Sequence, residues 1–169
     1  MNRPNTDEHA AYYSRYIDLV PEGNIIELLF QQIDETKNLF LSIDEEKSKY
    51  RYAADKWSIR EVLGHILDGE RIFAYRALRF SRNDSTEIAG FEQNLYTANS
   101  NHDNILLSNL LEEFILVRKS NILLFQSFTE DMWLRRGVAS KNSVSVRAIP
   151  FIMFGHCAHH LDVIKNKYL

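Results

Sequence analysis

Ser58-Ile59-Arg60-Glu61-Val62-Leu63-Gly64-His65-Ile66-Leu67-Asp68-Gly69-Glu70-Arg71-Ile72-Phe73 reads as a helix that marks its own start. Ser58 can accept from the backbone N–H of Glu61, and the Glu61 carboxylate can accept in return from the Ser58 amide, which is a capping box. Beyond it Val62, Leu63, Ile66, Leu67, Ile72, Phe73, Ala77 and Phe80 recur at three- and four-residue steps. That period predicts an amphipathic helix as far as Ser81, ended by Asn83-Asp84-Ser85.

Three more segments carry the same period. Upstream, Ile26, Leu29, Phe30, Ile33, Lys37 and Phe40 predict a helix from Ile25 to Leu41, after the break at Pro21-Glu22-Gly23-Asn24. Residues 1–21 read as an extended or loosely helical lead-in. Downstream, Leu106, Leu107, Leu110, Leu111, Phe114, Val117, Ile122 and Phe125 predict a third helix from Asp103 to Phe128. A fourth runs from Ser145, an N-cap candidate, to Lys167, with Pro150 tolerable near its first turn. Residues 82–102, with Gly90 and four Asn, and residues 130–143, with Trp133 and Gly137, form two unusually long connections. The sum is an all-α four-helix bundle in one domain spanning residues 1–169, with its core over residues 25–167.

Bulk properties agree with a single soluble domain. The chain has 169 residues, 45% hydrophobic and 25% charged, with a formal net charge of -3, so a basic nucleic-acid interface is not expected. No run of about 20 apolar residues is present, so no membrane span is expected. The polar start, Met1-Asn2-Arg3-Pro4-Asn5-Thr6, lacks the apolar stretch of a signal peptide. Cys157 is the single cysteine, which fits a reducing cytoplasm and leaves no intramolecular disulfide.

The chemistry sits in histidines. His156 and His160 are four apart in Phe154-Gly155-His156-Cys157-Ala158-His159-His160-Leu161, so a helix places both rings on one face. His65 lies roughly 12 Å into the second helix, and the His156/His160 midpoint lies roughly 13 Å before the end of the fourth, at 1.5 Å per residue. If those helices run antiparallel, three imidazoles meet at one height. Such a site leaves a coordination position open, as catalytic rather than structural zinc does. Core histidines with satisfied hydrogen bonds would explain the same residues without a metal. His159 is turned roughly 100° from His160, which puts it at the rim. His9 and His102 have no supporting context and are expected in solvent. Asp68, three residues after His65, is a candidate to hold a ligand imidazole or a bound water, or to act as acid or base. An ion pair with Arg71 accounts for Asp68 equally well. Cys157 reads as a small buried residue. Tyr96, Arg135 and Arg136 lie in the long connections, where substrate-contacting groups often sit, and nothing in the sequence chooses among them. His-Glu-x-x-His and a phosphate-cradling Gly loop are both missing.

Lys56-Trp57-Ser58 through Phe73, Trp133-Leu134-Arg135-Arg136-Gly137 through Ala148, and Gly155-His156-Cys157-Ala158-His159-His160-Leu161 together resemble the signatures of the DinB-like (YfiT-like) metal-dependent enzymes. The resemblance runs from Ile25 to Lys167. It implies an up-down-down-up bundle, usually dimeric, and a divalent metal, often nickel or zinc, on His65, His156 and His160. Family members with known activities include thiol S-transferases that use low-molecular-weight thiols, so a thiol co-substrate is one expectation. Many others are described as hydrolases. The chain departs at Asp162-Val163, where many relatives carry Gly-Gln, which weakens transfer of any particular substrate. The leading expectation is therefore a metal-dependent hydrolase or thiol S-transferase acting on a small molecule. The alternative is a non-catalytic metal- or ligand-binding bundle. A homodimer is also expected, because Phe73, Tyr75 and Phe80, and Leu106, Leu107, Leu110, Leu111 and Ile115, make apolar stripes wider than a bundle core needs.

Overall fold

The structure, a computed structural model, describes residues 2–169. Four long helices form the bundle: α2 (Ile25–Leu41), α3 (Ile59–Ser81), α5 (Leu107–Gln126) and α7 (Ala148–Lys167). Three short ones, α1 (Ser14–Ile17), α4 (Gln93–Ala98) and α6 (Glu130–Leu134), lie in the lead-in and the connections. Among the described residues no helix is long and apolar enough to cross a membrane.

Hydrogen bonds between helices fix their directions. The Tyr168 hydroxyl donates to the Trp57 carbonyl at 2.7 Å, tying the end of α7 to the start of α3, so these two are antiparallel. Ser58 meets Asp103 just ahead of α5, and Glu70 meets Arg118 in its middle, so α3 and α5 are parallel. Glu45, just after α2, accepts from the Leu107 and Ser108 amides at the start of α5, so α2 and α5 are antiparallel. The resulting order is up-down-down-up: α3 and α5 stand side by side, while α2 and α3, and α5 and α7, stand diagonally.

The helix limits show which signals were local. α2 begins at Ile25 with the Asn24 side chain accepting from the Ile26 amide at 2.9 Å. α3 begins at Ile59 under the expected capping box: Glu61 N donates to Ser58 Oγ at 3.1 Å, and Ser58 N donates to Glu61 Oε2 at 2.8 Å. α5 starts at Leu107 rather than Asp103. Its cap is Glu45, 62 residues upstream of Leu107, while Asp103 turns back to Ser58 and Arg51. α7 starts at Ala148, but Ser145 Oγ still accepts from the Ala148 amide at 3.0 Å.

The second connection holds one departure from a purely helical reading, a β-hairpin of β1 (Arg136–Ala139) and β2 (Asn142–Ser145). Its turn places Ser140 and Lys141 at φ 52° and 64°. Both central residues are left-handed, which suits the twist of a two-residue hairpin. Ile88 joins the edge of the hairpin, donating to the Val138 carbonyl at 2.9 Å and accepting from the Ser140 amide at 3.0 Å. Gly137 lets the hairpin close on the bundle, since a Cβ there would lie 1.9 Å from the Phe80 ring.

Much of the extra apolar width is used within one chain. Phe73, Phe80, Leu107, Leu110 and Leu111 are buried, covered in part by Tyr13 of the lead-in and by the hairpin. Tyr75 and Leu106 remain exposed.

A polar layer divides the apolar core in two. Arg118, fully buried, donates to Glu70 through Nε at 2.9 Å and Nη2 at 2.7 Å, and to Gln32 Oε1 at 2.8 Å. Gln32 Nε2 donates on to the Phe154 carbonyl at 3.0 Å, and Asn121 Nδ2 donates to Glu70 at 3.1 Å. All four helices are tied at one level. Removing one partner of such a pair leaves a buried charge unmatched, which typically costs about 3–5 kcal/mol, whereas replacing both by apolar groups costs far less. Glu70→Gln is therefore expected to lower the urea-unfolding free energy by about 3–5 kcal/mol, and the double variant Glu70→Met, Arg118→Met to recover much of that loss. A single variant within about 1 kcal/mol of the parent would show that the pair is not what aligns the helices.

Candidate metal centre

The antiparallel pairing of α3 and α7 brings His65, His156 and His160 together. One ring nitrogen from each lies within 4.8 Å of the other two. His156 Nε2 and His65 Nε2 are 2.9 Å apart, and the three ring centroids are separated by 4.7 to 4.8 Å. Nitrogens around a tetrahedral ion with bonds of ~2.1 Å stand roughly 3.4 Å from each other, so the triplet has the dimensions of a metal site.

The rings of His65 and His156 are held by their surroundings. Trp57 lies against His65 with centroids 4.8 Å apart. Tyr16 and Phe73 present edge contacts to His156 at 5.5 and 5.7 Å. Gly69 leaves space for the His156 ring, because a Cβ there would sit 3.0 Å from its Cε1. Gly155 allows α1 to pack directly on α7, since a Cβ would meet the Tyr16 carbonyl oxygen at 1.9 Å.

Burial governs the protonation of the triplet. Desolvation, with a smaller effect from His102, brings His65 down to about 4. Desolvation and the neighbouring imidazoles hold His156 and His160 well below the ordinary histidine range. All three are neutral at physiological pH, with lone pairs free to bind a cation. Three converged neutral imidazoles, rigidly packed and with no carboxylate among them, fit a borderline-soft divalent ion such as zinc or nickel.

The other candidates fall differently. His159 is half-buried at the rim, edge-on to Tyr16 at 5.6 Å. Asp68 is half-buried, and burial raises its carboxyl above the usual range. Among the described residues it bonds neither a histidine of the triplet nor Arg71, whose guanidinium goes to Glu113. His9 and His102 are not in solvent. His9 is buried, with Nδ1 3.0 Å from the Ala10 carbonyl oxygen, and His102 packs over Gly64, where a Cβ would lie 2.1 Å from its Nδ1. Arg135 donates to the Ser81 carbonyl at the end of α3, and Arg136 to Asp7, so both are structural. Tyr96 is exposed, its ring tilted against Phe91 with centroids 5.0 Å apart, and it is not among the residues that line the cavity beside the histidines. Cys157 is fully buried 3.7 Å from Thr36 Oγ1, and burial pushes its thiol up to about 11.

A cavity of about 350 Å³ opens beside His65 and His156. Its walls include Tyr12, Tyr13 and Tyr16 of the lead-in, Phe73 and Arg76 of α3, and Ser140 of the hairpin turn. The sequence marks residues 1–21 only as an extended or loosely helical lead-in, with no site residue among them. The closely spaced Tyr12-Tyr13-x-x-Tyr16, opposite a helix carrying Gly155 beside His156, was the available signal. The segment is anchored by Glu8, which accepts from Ser145 Oγ at 2.8 Å and from Arg147 Nε at 3.0 Å. Burial would raise the Glu8 carboxyl, but these bonds outweigh it and bring it to about 2.

Below the ordinary imidazole value of 6.5, the unfolded chain takes up protons that the folded triplet refuses. The metal-free protein is thus expected to lose stability as pH falls from 6.5 through about 4, and to change little on this account above 6.5. Thermal melts of chelator-treated protein between pH 8 and 4 check this, with His65→Phe expected to flatten the profile. A parent melting temperature constant from pH 7 to 5 would contradict it.

Comparison with known proteins accords with this geometry. No curated protein matches the chain. Among solved structures, YfiT from Bacillus subtilis, described as a probable metal-dependent hydrolase with an unusual four-helix bundle topology, superposes with a TM-score of 0.75 at 14% identity. The match covers 86% of this chain and 89% of that one, and at such identity it speaks for the fold. The DinB superfamily matches over residues 28–164, a span that runs from Leu28 in α2 to Ile164 in the last turn of α7 and contains all three converged histidines. With most of the chain inside that match, the protein belongs to the DinB superfamily.

Proposed function

We propose that this chain is a metal-dependent hydrolase of a small molecule, with one divalent transition metal, zinc or nickel, on His65, His156 and His160. The observation that carries the reading is the open side of the triplet: His65 and His156 both line the 350 Å³ cavity. A divalent ion held by three neutral imidazoles supplies Lewis acidity and lowers the pKa of a bound water or thiol. The residues around it do the remaining work. Trp57, Phe73 and Tyr16 fix the ring planes and exclude bulk water. Burial, with the Tyr12 hydroxyl beside it, raises the Tyr16 phenol to about 12, so it stays a neutral donor at the cavity wall. The buried Cys157 cannot serve as the nucleophile. A transfer reaction at the same site would need a low-molecular-weight thiol delivered through the cavity.

The test is metal content and hydrolysis together. Purified protein, stripped and reloaded with zinc or nickel, is expected to bind about one ion per chain and to cleave members of a small ester and amide panel. His156→Ala is expected to weaken metal binding by more than about 100-fold and abolish turnover, while His159→Ala changes affinity by less than about tenfold. Equal metal loss in both variants would overturn the ligand assignment. Turnover only when a low-molecular-weight thiol and an electrophile are supplied would move the activity to S-transfer.

We also infer a homodimer through the outer face of α2 and α5. Phe30, Leu116 and Leu123 are 56%, 60% and 67% exposed there, and Ile26, Phe30 and Ile122 line a shallow groove. Light scattering at micromolar concentration is expected to give twice the chain mass of 19.8 kDa, falling when Phe30 and Leu123 are replaced by Lys. A mass of 19.8 kDa that does not change with concentration would exclude the pairing.

A further inference from the structure

Three arginines are buried in the bundle, and two are matched. Arg118 is bidentate on Glu70. Arg60 meets Glu45, Ser48 Oγ at 2.7 Å and the Asp103 carbonyl at 2.9 Å. Arg76 is only 3% exposed, yet among the described residues it pairs with no carboxylate. Its Nη1 stands 3.4 Å from the Tyr13 hydroxyl and Nη2 3.2 Å from Ser140 Oγ, both neutral oxygens and both long for a guanidinium bond. Its Nε is buried with no hydrogen-bond partner among the described residues. A guanidinium cannot shed its charge, and a buried charge is ordinarily paired.

Arg76 lines the cavity that reaches the histidine triplet. On α3 it follows His65, Gly69 and Phe73 along one face, roughly 16 Å from His65 at 1.5 Å per residue. Helical side chains lean toward the N-terminus, which brings the guanidinium back toward His65. Glu92, the carboxylate on the cavity wall, is exposed and already accepts from the Asn94 and Leu95 amides at the start of α4. The remaining walls are largely aromatic, from Tyr13, Tyr16, Phe73 and Phe91.

We infer that Arg76, with the Tyr13 and Ser140 hydroxyls, is an anion-binding subsite, and that the substrate carries a single carboxylate on an apolar body reaching back to the histidines. One fixed cation flanked by two neutral donors balances a monoanion. A phosphate dianion at this end would need a second basic side chain, and Arg76 has no Lys or other Arg beside it among the residues that line the cavity. The inference rests on the hydrolase reading only for where the reacting bond lies. Carboxylate capture itself needs no metal.

Calorimetric titration of the full chain, first chelator-treated and then zinc-loaded, tests it with 4-phenylbutanoate, its uncharged amide 4-phenylbutanamide, and phenyl phosphate. The chelator-treated parent is expected to bind the carboxylate at least tenfold more tightly than the amide. Arg76→Gln should weaken the carboxylate by about 10- to 100-fold, the range of a charge-assisted hydrogen bond, and leave the amide unchanged. Arg76→Lys should retain part of the affinity. Zinc content in Arg76→Gln should equal that of the parent, so a failure of the metal reading and a failure of this one are told apart. Equal affinity for carboxylate and amide, or for carboxylate in parent and Arg76→Gln, overturns the subsite. Tighter, Arg76-dependent binding of phenyl phosphate overturns the monoanion assignment. Should Arg76→Gln fail the circular-dichroism check for folding, Tyr13→Phe with Ser140→Ala decides: a several-fold loss supports the subsite and unchanged affinity overturns it.

Discussion

The buried ion pair between Arg118 and Glu70 is the constraint on which the rest of the arrangement depends. Apolar side chains alone would let four helices slide past one another by a turn at modest cost, because packing is tolerant of similar shapes. A charged pair with fixed hydrogen-bond geometry is not tolerant. Arg118 reaches α2 through Gln32 and the Leu29 carbonyl, and α3 through Glu70, while Gln32 reaches α7 at the Phe154 carbonyl. Sliding any one helix strands a charge or an amide in a low-dielectric interior. Phe154 is two residues from His156 and Glu70 five from His65, so the layer that sets the register also sets the height at which the imidazoles meet.

The electrostatics of the site follow from the same burial. The chain as a whole carries a net charge of -3, but the cavity contains an unmatched guanidinium and a cluster of neutral imidazoles ready to take a cation. The buried charge on its wall is therefore opposite in sign to the net charge of the chain. Low-dielectric walls concentrate the field of such a charge, favouring entry of electron-rich ligands through a mouth that bulk charge would not suggest.

Much of the bundle was legible because its signals are local. The break at Pro21-Glu22-Gly23-Asn24, the Ser58/Glu61 box and the apolar periods marked the limits of α2 and α3, and helical rise, for antiparallel helices, put His65 level with His156 and His160. What escaped was set by residues far apart in the chain. The start of α5 depends on Glu45, which no window around Asp103 contains. The hairpin turns on Ser140 and Lys141, left-handed without the Asn-Gly pair that would have advertised it. His102 had no meaning until Gly64 was seen to leave a space for its ring. Arg76 was visible as one more polar residue on a helix, and only the absence of an anion opposite it gives it significance.

The walls of the site come from opposite ends of the fold, and this orders events in time. Glu8 clasps Arg147 across 139 residues, Tyr16 lies on Gly155, and His65 waits for a partner 91 residues downstream. During synthesis at about 5–20 residues per second, α1 leaves the ribosome well before the helix it must lie against. For several seconds the tyrosines and His65 have nothing to close on. The cavity can exist only once α7 has been made, as can the complete Arg118 layer, which ends on the Phe154 carbonyl, so an ion meets all three imidazoles only in the finished chain.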